Sequence, residues 1–100
     1  MSSLSNYITF IILTHNEEAN LDTCLRSVKS ISNQIVVVDS FSQDKTEQIC
    51  KNHNVQFYQN KFINQGIQFN WALDNIQIQT KWIMRLDADE YFTDELISEI

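Results

Sequence analysis

Apolar residues run almost unbroken over residues 7–14 and again over 35–38, the pattern of strands covered on both faces. Between these runs Leu21, Cys24, Leu25 and Val28 recur at helical spacing and predict an amphipathic helix. The chain holds one glycine and no proline, so its boundaries rest on periodicity and on capping residues. Thr14 and Glu17 have capping-box spacing for the first helix, with Asn16 a rival N-cap. Ser40 with Gln43, or Ser42 alone, can open a second helix through Ile49 and Cys50 to about His53. Residues 55–58 read as a third strand. Residues 65–78 carry Ile67, Trp71 and either Leu73 or Asp74 at helical spacing and predict a third helix. Residues 81–86 predict a fourth strand, with Trp82, Met84 and Leu86 on one face. Thr93 followed by Asp94 and Glu95 supplies the N-cap and acidic first turn of a last helix.

Strands alternating with helices imply parallel pairing through crossover helices, hence an α/β fold with a doubly wound sheet and helices on both faces. With the strand order of a Rossmann half, 3-2-1-4, the first and fourth strands are neighbours where the winding reverses. Ligands of such sheets bind there, at the carboxyl ends of the strands.

Composition narrows the classes. At 43% hydrophobic and 20% charged the chain can build a core, and its 100 residues predict a single domain. No apolar stretch approaches the roughly 18 residues that cross a bilayer, and residues 1–6 lack the basic start and apolar run of a secretory signal. An intracellular, cytoplasmic protein is the expectation. Cys24 and Cys50 are too few for a disulfide framework, form no Cys-x-x-Cys pair and fall on apolar helix faces, so both are expected as buried free thiols. The formal charge of −6 is unevenly placed. Seven acids and all seven bases lie at or before Leu86 and cancel; Asp87, Asp89, Glu90, Asp94, Glu95 and Glu99 follow with no base. That balance argues against nucleic acid as a partner and leaves a phosphate-bearing small ligand to be reached through a cation.

The strand ends carry the candidate chemistry. The first ends in Thr14-His15-Asn16-Glu17, the second in Asp39-Ser40 and the fourth in Asp87-Ala88-Asp89-Glu90. Carboxylates at i and i+2 leaving a strand can approach one hard cation, and Mg2+ or Mn2+ characteristically takes one or two carboxylates with water and substrate phosphate. The competing reading of Asp87 and Asp89 is a solvated turn with a helix-capping acid, and that of Asp39 is a cap on the second helix. His15 reads as a polar strand-end residue and His53 as a cation at a helix C-terminus. A phosphate loop and a dinucleotide fingerprint both need glycines that a chain with only Gly66 lacks. An EF-hand starting at Asp87 would need glycine where Phe92 stands and glutamate where Ser98 stands.

Four blocks in register, residues 11–18, 25–28, 35–46 and 82–90, resemble family 2 glycosyltransferases of the GT-A fold. The Asp39-Ser40 pair resembles most the branch of lipopolysaccharide or lipooligosaccharide core β-1,4-glucosyltransferases. The resemblance implies that Thr14, Asn16 and Glu17 lie against a nucleotide and that Asp39, beside Ser40, accepts from the N3–H of uracil. It further implies that Asp87 and Ala88 lie near the ribose and diphosphate, that Asp89, with Asp87, holds Mg2+ or Mn2+, and that Gln68 and Asn70 face the donor. The implied reaction transfers a hexose from a nucleotide sugar, with inversion, to a glycan or lipid-linked glycan in cell-envelope synthesis, with peripheral contact at the inner face of the cytoplasmic membrane.

Two departures stand out. Phe69 precedes Asn70 where a Lys or Arg is common, and Leu13-Thr14 replaces a common proline in the first-strand loop. The resembled enzymes are also two to three times as long, so this chain is expected to be their N-terminal nucleotide-sugar-binding part. The acceptor half and catalytic base are then expected beyond residue 100, and the fourth strand is left as an exposed edge open to self-association. The alternatives weighed are a degenerate or non-catalytic nucleotide-binding or assembly module, and a haloacid dehalogenase-type phosphotransferase. The latter places its Asp-x-Asp on the first strand rather than the fourth.

Overall fold

The computed structural model describes residues 8–91 and Thr93. Tyr7 of the first predicted strand and the last predicted helix, with Asp94, Glu95 and Glu99, lie outside the described residues. Four strands and three helices alternate: β1 (Ile8–Thr14), α1 (Leu21–Val28), β2 (Gln34–Asp39), α2 (Thr46–His53), β3 (Gln56–Gln59), α3 (Gln65–Asn75) and β4 (Trp82–Asp87). The strands form one parallel sheet in the order β3-β2-β1-β4. The expected α/β architecture and strand order are therefore the ones observed.

β1 and β2 take the two inner positions because both are apolar on both faces. Ile8, Phe10 and Ile12 pack with Leu21, Cys24, Leu25, Val28 and Cys50 under α1 and α2, whereas Ile11 and half-buried Leu13 pack with Val36, Val38, Ala72 and Ile76 under α3. Both thiols are free and buried, as their helical register predicts. Burial of each such aliphatic side chain contributes about 1.5–3 kcal/mol, so the two layers hold the sheet between them. A polar cluster closes the other end of the sheet. Gln34 Oε1 accepts from the Thr9 hydroxyl and from the Gln79 amide, and its Nε2 donates to Gln56 Oε1 and the Gln77 carbonyl.

The helix starts differ from the sequence reading, for a common reason. α1 begins after Asn20, which makes no side-chain cap, and α2 begins after Lys45, equally uncapped. Thr14, Asn16 and Ser42, the residues with capping character, spend their side chains on contacts between the two preceding loops. Only α3 is capped by its own side chain, Asn64 Oδ1 accepting from the Ile67 amide at 2.8 Å. That helix ends at Asn75 rather than Ile78, because Ile76 turns extended and enters the core. Its inward face is also rotated from the predicted one. Gln68 and Ala72 are buried and Trp71, of the predicted stripe, is half-buried against the core, while Ile67, Leu73 and Asp74 point outward.

β4 lies at the sheet edge. Leu86 is buried, but Trp82 and Met84, placed by the sequence on the same face, are 60% and 44% exposed. Among the described residues no helix is long and apolar enough to cross a membrane.

Candidate functional site

The parallel register brings three polar strand ends to one rim. Thr14 pairs with Asp39 between β1 and β2, and Leu13 pairs with Asp87 between β1 and β4. The loop after β1 and the loop after β2 then close on each other residue by residue. The Thr14 hydroxyl donates to Asp39 Oδ1 at 2.6 Å, and the Ser40 amide donates to the Thr14 carbonyl at 2.9 Å. His15 Nδ1 lies 2.9 Å from the Ser40 carbonyl. The Asn16 amide donates to Ser42 Oγ at 2.7 Å, and Asn16 Oδ1 accepts from the Gln43 amide at 2.8 Å. The Glu17 amide donates to Thr46 Oγ1 at 2.9 Å and the Glu18 amide to Asp44 Oδ2 at 3.1 Å.

Asp39 is fully buried at the centre of this seam. Besides Thr14, Ser42 serves it twice, its hydroxyl donating to Oδ1 at 2.5 Å and its amide to Oδ2 at 2.8 Å. The carboxylate closes a local turn with Ser42; it does not cap α2, whose first residue is Thr46. Asn16 and Phe41 both adopt left-handed backbone, φ 52° and 54°. For a residue as bulky as phenylalanine this is a strained state that its surroundings must hold in place. Ser42, Asp44 and Thr46 carry much of this organisation. Ser42 reads as a possible start of the second helix and all three lie in the resembling block 35–46, but the sequence marks none as a site residue.

At the other side of the rim the chain leaves β4 through a turn closed by the Glu90 amide on the Asp87 carbonyl, 2.9 Å. Glu90 Oε1 accepts back from the Asp87 amide at 2.8 Å, which gives a function in the turn to an acid the sequence left without one. Ala88 is buried, Asp87 half-buried and Asp89 exposed. Burial, reinforced by the charges of Glu90, Asp89, Asp87 and Glu17, pushes the Cys24 thiol up to about 12. Four carboxylates thus bear on one buried atom from the same end of the sheet.

Gln68 is 1% exposed and joins α3 to the rim. Its Nε2 donates to Ser40 Oγ at 3.2 Å and to the Asn60 carbonyl at 3.1 Å, and its Oε1 accepts from Asn60 Nδ2 at 2.9 Å. Asn70 sits exposed on the same helix, and its side chain makes no hydrogen bond with another described residue. The structure thus brings Thr14, Asn16, Glu17, Asp39, Ser40 and Gln68 into one bonded network, places Asp87, Ala88 and Asp89 on the neighbouring strand end, and leaves Asn70 outside. Beside Ser40 the rim opens into a cleft of about 300 Å³ lined by His15, Phe41, Lys61 and Phe62. A cleft of similar volume at the opposite end of the sheet includes Lys29, His53 and Gln79.

The donor set bears on a metal. Among the described residues no group of three His, Cys, Asp or Glu is placed to hold an ion. Asp87 and Asp89 nevertheless offer two hard oxygen ligands whose carboxylates make no hydrogen bond or ion pair with another described residue. Such a set fits an Mg2+ or Mn2+ ion whose remaining positions are filled by water and ligand phosphate, and it does not fit a cage built by the protein alone.

A parallel α/β sheet with polar strand ends gathered at the switch between β1 and β4 defines a class of small-ligand-binding domains. Comparison with known proteins narrows it. The model of glycosyl transferase family 2 matches residues 9–100, and the chain belongs to that family. It is 33% identical over 97 residues to an uncharacterized glycosyltransferase of Rickettsia bellii, covering 97% of this chain and 32% of that protein. It is 35% identical over 92 residues to the SPbeta prophage-derived glycosyltransferase SunS of Bacillus subtilis, covering 88% of this chain and 21% of SunS. Among solved structures, residues 1–349 of S. aureus TarS superpose with a TM-score of 0.76 at 26% identity over 93% of this chain and 30% of that one. TarS in complex with UDP-GlcNAc gives a TM-score of 0.70 at 25% identity. The fold is the four-stranded GT-A half that the resemblance implied, and the chain spans about a third of the length of the first relatives it matches. With Asp87-Ala88-Asp89 after β4 rather than β1, the haloacid dehalogenase reading is set aside.

Proposed function

We propose that this chain is the N-terminal nucleotide-sugar-binding part of an inverting, metal-dependent glycosyltransferase that uses a UDP-hexose. The observation that carries the reading is the convergence of Thr14, Asp39 and Asp87 on one rim, with the carboxylates of Asp87 and Asp89 unpartnered among the described residues. The UDP-GlcNAc complex of TarS, a protein of the same fold, supports a nucleotide sugar as the ligand.

In this reading Thr14, Asn16 and Glu17 line the nucleotide, Asp39 with Ser40 receives the base, Asp87 and Ala88 lie by the ribose and diphosphate, and Asp89 is the main metal ligand. Gln68 and Asn70 bound the donor from α3. Asp39 Oδ2 has one protein donor and so keeps acceptor capacity, but the residue is buried, so a base N–H reaches it only when a covering side chain moves. Gln68 acts by holding Ser40 and Asn60, since its amide is already bonded to both. An Mg2+ or Mn2+ ion held at Asp89 with Asp87 supplies positive charge where the diphosphate leaving group gains negative charge. The base that takes the acceptor proton belongs, in this proposal, to the acceptor half beyond residue 100.

The resemblance to core β-1,4-glucosyltransferases supports a lipid-linked glycan acceptor in lipopolysaccharide synthesis, at the inner face of the cytoplasmic membrane. The open β4 edge supports self-association of the isolated chain. Calorimetric titration of UDP with and without Mn2+, on the native chain and on Asp89→Asn, tests the metal bridge. Mn2+ is expected to tighten UDP binding to the native chain and to lose that effect in the variant. Equal UDP affinity in all four combinations contradicts the bridge.

A further inference from the structure

The residues proposed to line the nucleotide are held in place by two residues outside that proposed lining, half-buried Asp44 and buried Thr46. Asn20 supplies no side-chain cap to α1, and the Asn16, Glu17 and Glu18 amides of the loop before it are satisfied from the segment after β2. The start of α2 supplies the acceptors. Asp44 Oδ1 accepts from both the amide and the hydroxyl of Thr46, at 2.9 and 2.5 Å, and Asp44 Oδ2 accepts from the Glu18 amide. Because the Thr46 hydroxyl spends its proton on Asp44, its lone pairs are turned toward the Glu17 amide, which donates to it at 2.9 Å. Thr46 is fully buried, and its hydroxyl is engaged on both sides, by the Glu17 amide and by Asp44. Its effect on the rim passes through the backbone of Glu17.

The Glu17 carbonyl in turn accepts from the amides of Asn20 and Leu21, which starts α1. The entry to α1 is therefore set from α2, and Asn16, in left-handed backbone one residue before Glu17, is fixed between the latch and Ser42. We propose that Asp44 and Thr46 form a latch that positions Asn16 and Glu17 for the donor, acting on donor affinity through the loop after β1 and not by contact. This rests on the nucleotide-sugar reading above.

The chemistry of the latch suggests isosteric tests. Thr46→Ser keeps the hydroxyl, Thr46→Val removes it at nearly constant shape, and Asp44→Asn can keep the Oδ1 acceptor for Thr46 while presenting an N–H to the Glu18 amide. Val28→Ala, in the core at the far end of α1, serves as a control for general loss of stability. UDP affinity with Mg2+ and the hydrogen-exchange rates of the Glu17 and Glu18 amides are measured on the native chain and all four variants. Thr46→Ser is expected to bind UDP within about twofold of the native chain, and Thr46→Val and Asp44→Asn about three- to tenfold more weakly, the effect of one hydrogen bond. Exchange should quicken at Glu17 in Thr46→Val and at Glu18 in Asp44→Asn, with Val28→Ala leaving both the affinity and these two amides unchanged. Should Thr46→Val fail to fold, Asp44→Asn carries the same test. Native binding with unchanged affinity in Asp44→Asn overturns the latch alone, as does an equal loss in Val28→Ala. Absence of UDP binding by the native chain overturns the donor reading and the latch with it.

Discussion

Asp22 and Asp44 show how single carboxylates tie the helices of this protein together. Asp22 lies 2.8 Å from Arg26 Nε within α1 and 2.7 Å from His53 Nε2 at the end of α2. The hydrogen bond from His53, together with the Arg26 and His53 charges, outweighs desolvation and holds Asp22 below its ordinary value of 3.8. Desolvation pushes Asp44 upward, but bonds from Thr46 and the Glu18 amide outweigh it, and this carboxyl too is held below 3.8. A carboxyl whose pKa is depressed on folding stabilises the native state above its unfolded pKa, and that contribution is lost as pH falls through the folded value. Urea midpoints are thus expected to fall with acidification below about pH 4, the unfolded carboxyl range, and Asp22→Asn and Asp44→Asn should each flatten that decline. Cys24 and Cys50, both pushed up to about 12 chiefly by burial, should resist a thiol reagent at pH 8 in the folded chain and react freely in denaturant. The burial of both thiols was legible from helical spacing. The partners of Asp39 were not, because Thr14 and Ser42 read equally well as helix caps; the parallel register of β1 and β2 brings Thr14 to Asp39, and a local turn brings Ser42.

At the scale of elements, legibility followed how completely a segment is buried. β1 and β2 are covered on both faces and read directly as apolar runs, and α1 shows its inner stripe in Leu21, Cys24, Leu25 and Val28. The helical spacing of α3 was legible, but its facing only in part, since Trp71 packs on the core and Ile67 does not. The inward position that a periodicity argument expects to be apolar is occupied by Gln68, which is tolerated there because Asn60 and Ser40 satisfy its amide. Ile67, the apolar residue beside it, is 44% exposed. Substitution distinguishes the two facings. Ile67→Ser is expected to change unfolding free energy by no more than about 0.5 kcal/mol, whereas Leu25→Ala should cost about 2–5 kcal/mol by loss of buried surface and the cavity left behind. Urea unfolding followed by Trp fluorescence measures both.

Across the whole molecule, charge and apolar exposure meet at β4. The strand offers its unpaired edge with Trp82, Ile83 and Met84 exposed beside Ile8 around a cleft of about 280 Å³, and it ends in the carboxylates at which the metal is proposed to bind. The proposed self-association through this edge predicts a sedimentation coefficient that rises with concentration and a Met84→Lys variant that stays monomeric; a native chain that remains monomeric throughout contradicts it. The placement of the acidic excess after Leu86 was legible in the sequence, and the structure divides it. Glu90 closes the turn, while the carboxylates of Asp87 and Asp89 make no hydrogen bond or ion pair with another described residue. The central claim is that a nucleoside diphosphate and a cation meet at this rim, and a chemical-shift map of the 15N-labelled chain titrated with UDP and Mg2+ tests it most directly. Saturable shifts are expected at the amides of Thr14 to Glu17, Asp39 and Ser40, and Asp87 to Asp89, with none at Lys29, His53 and Gln79. Shifts confined to that opposite end, or no shifts at all, would contradict it.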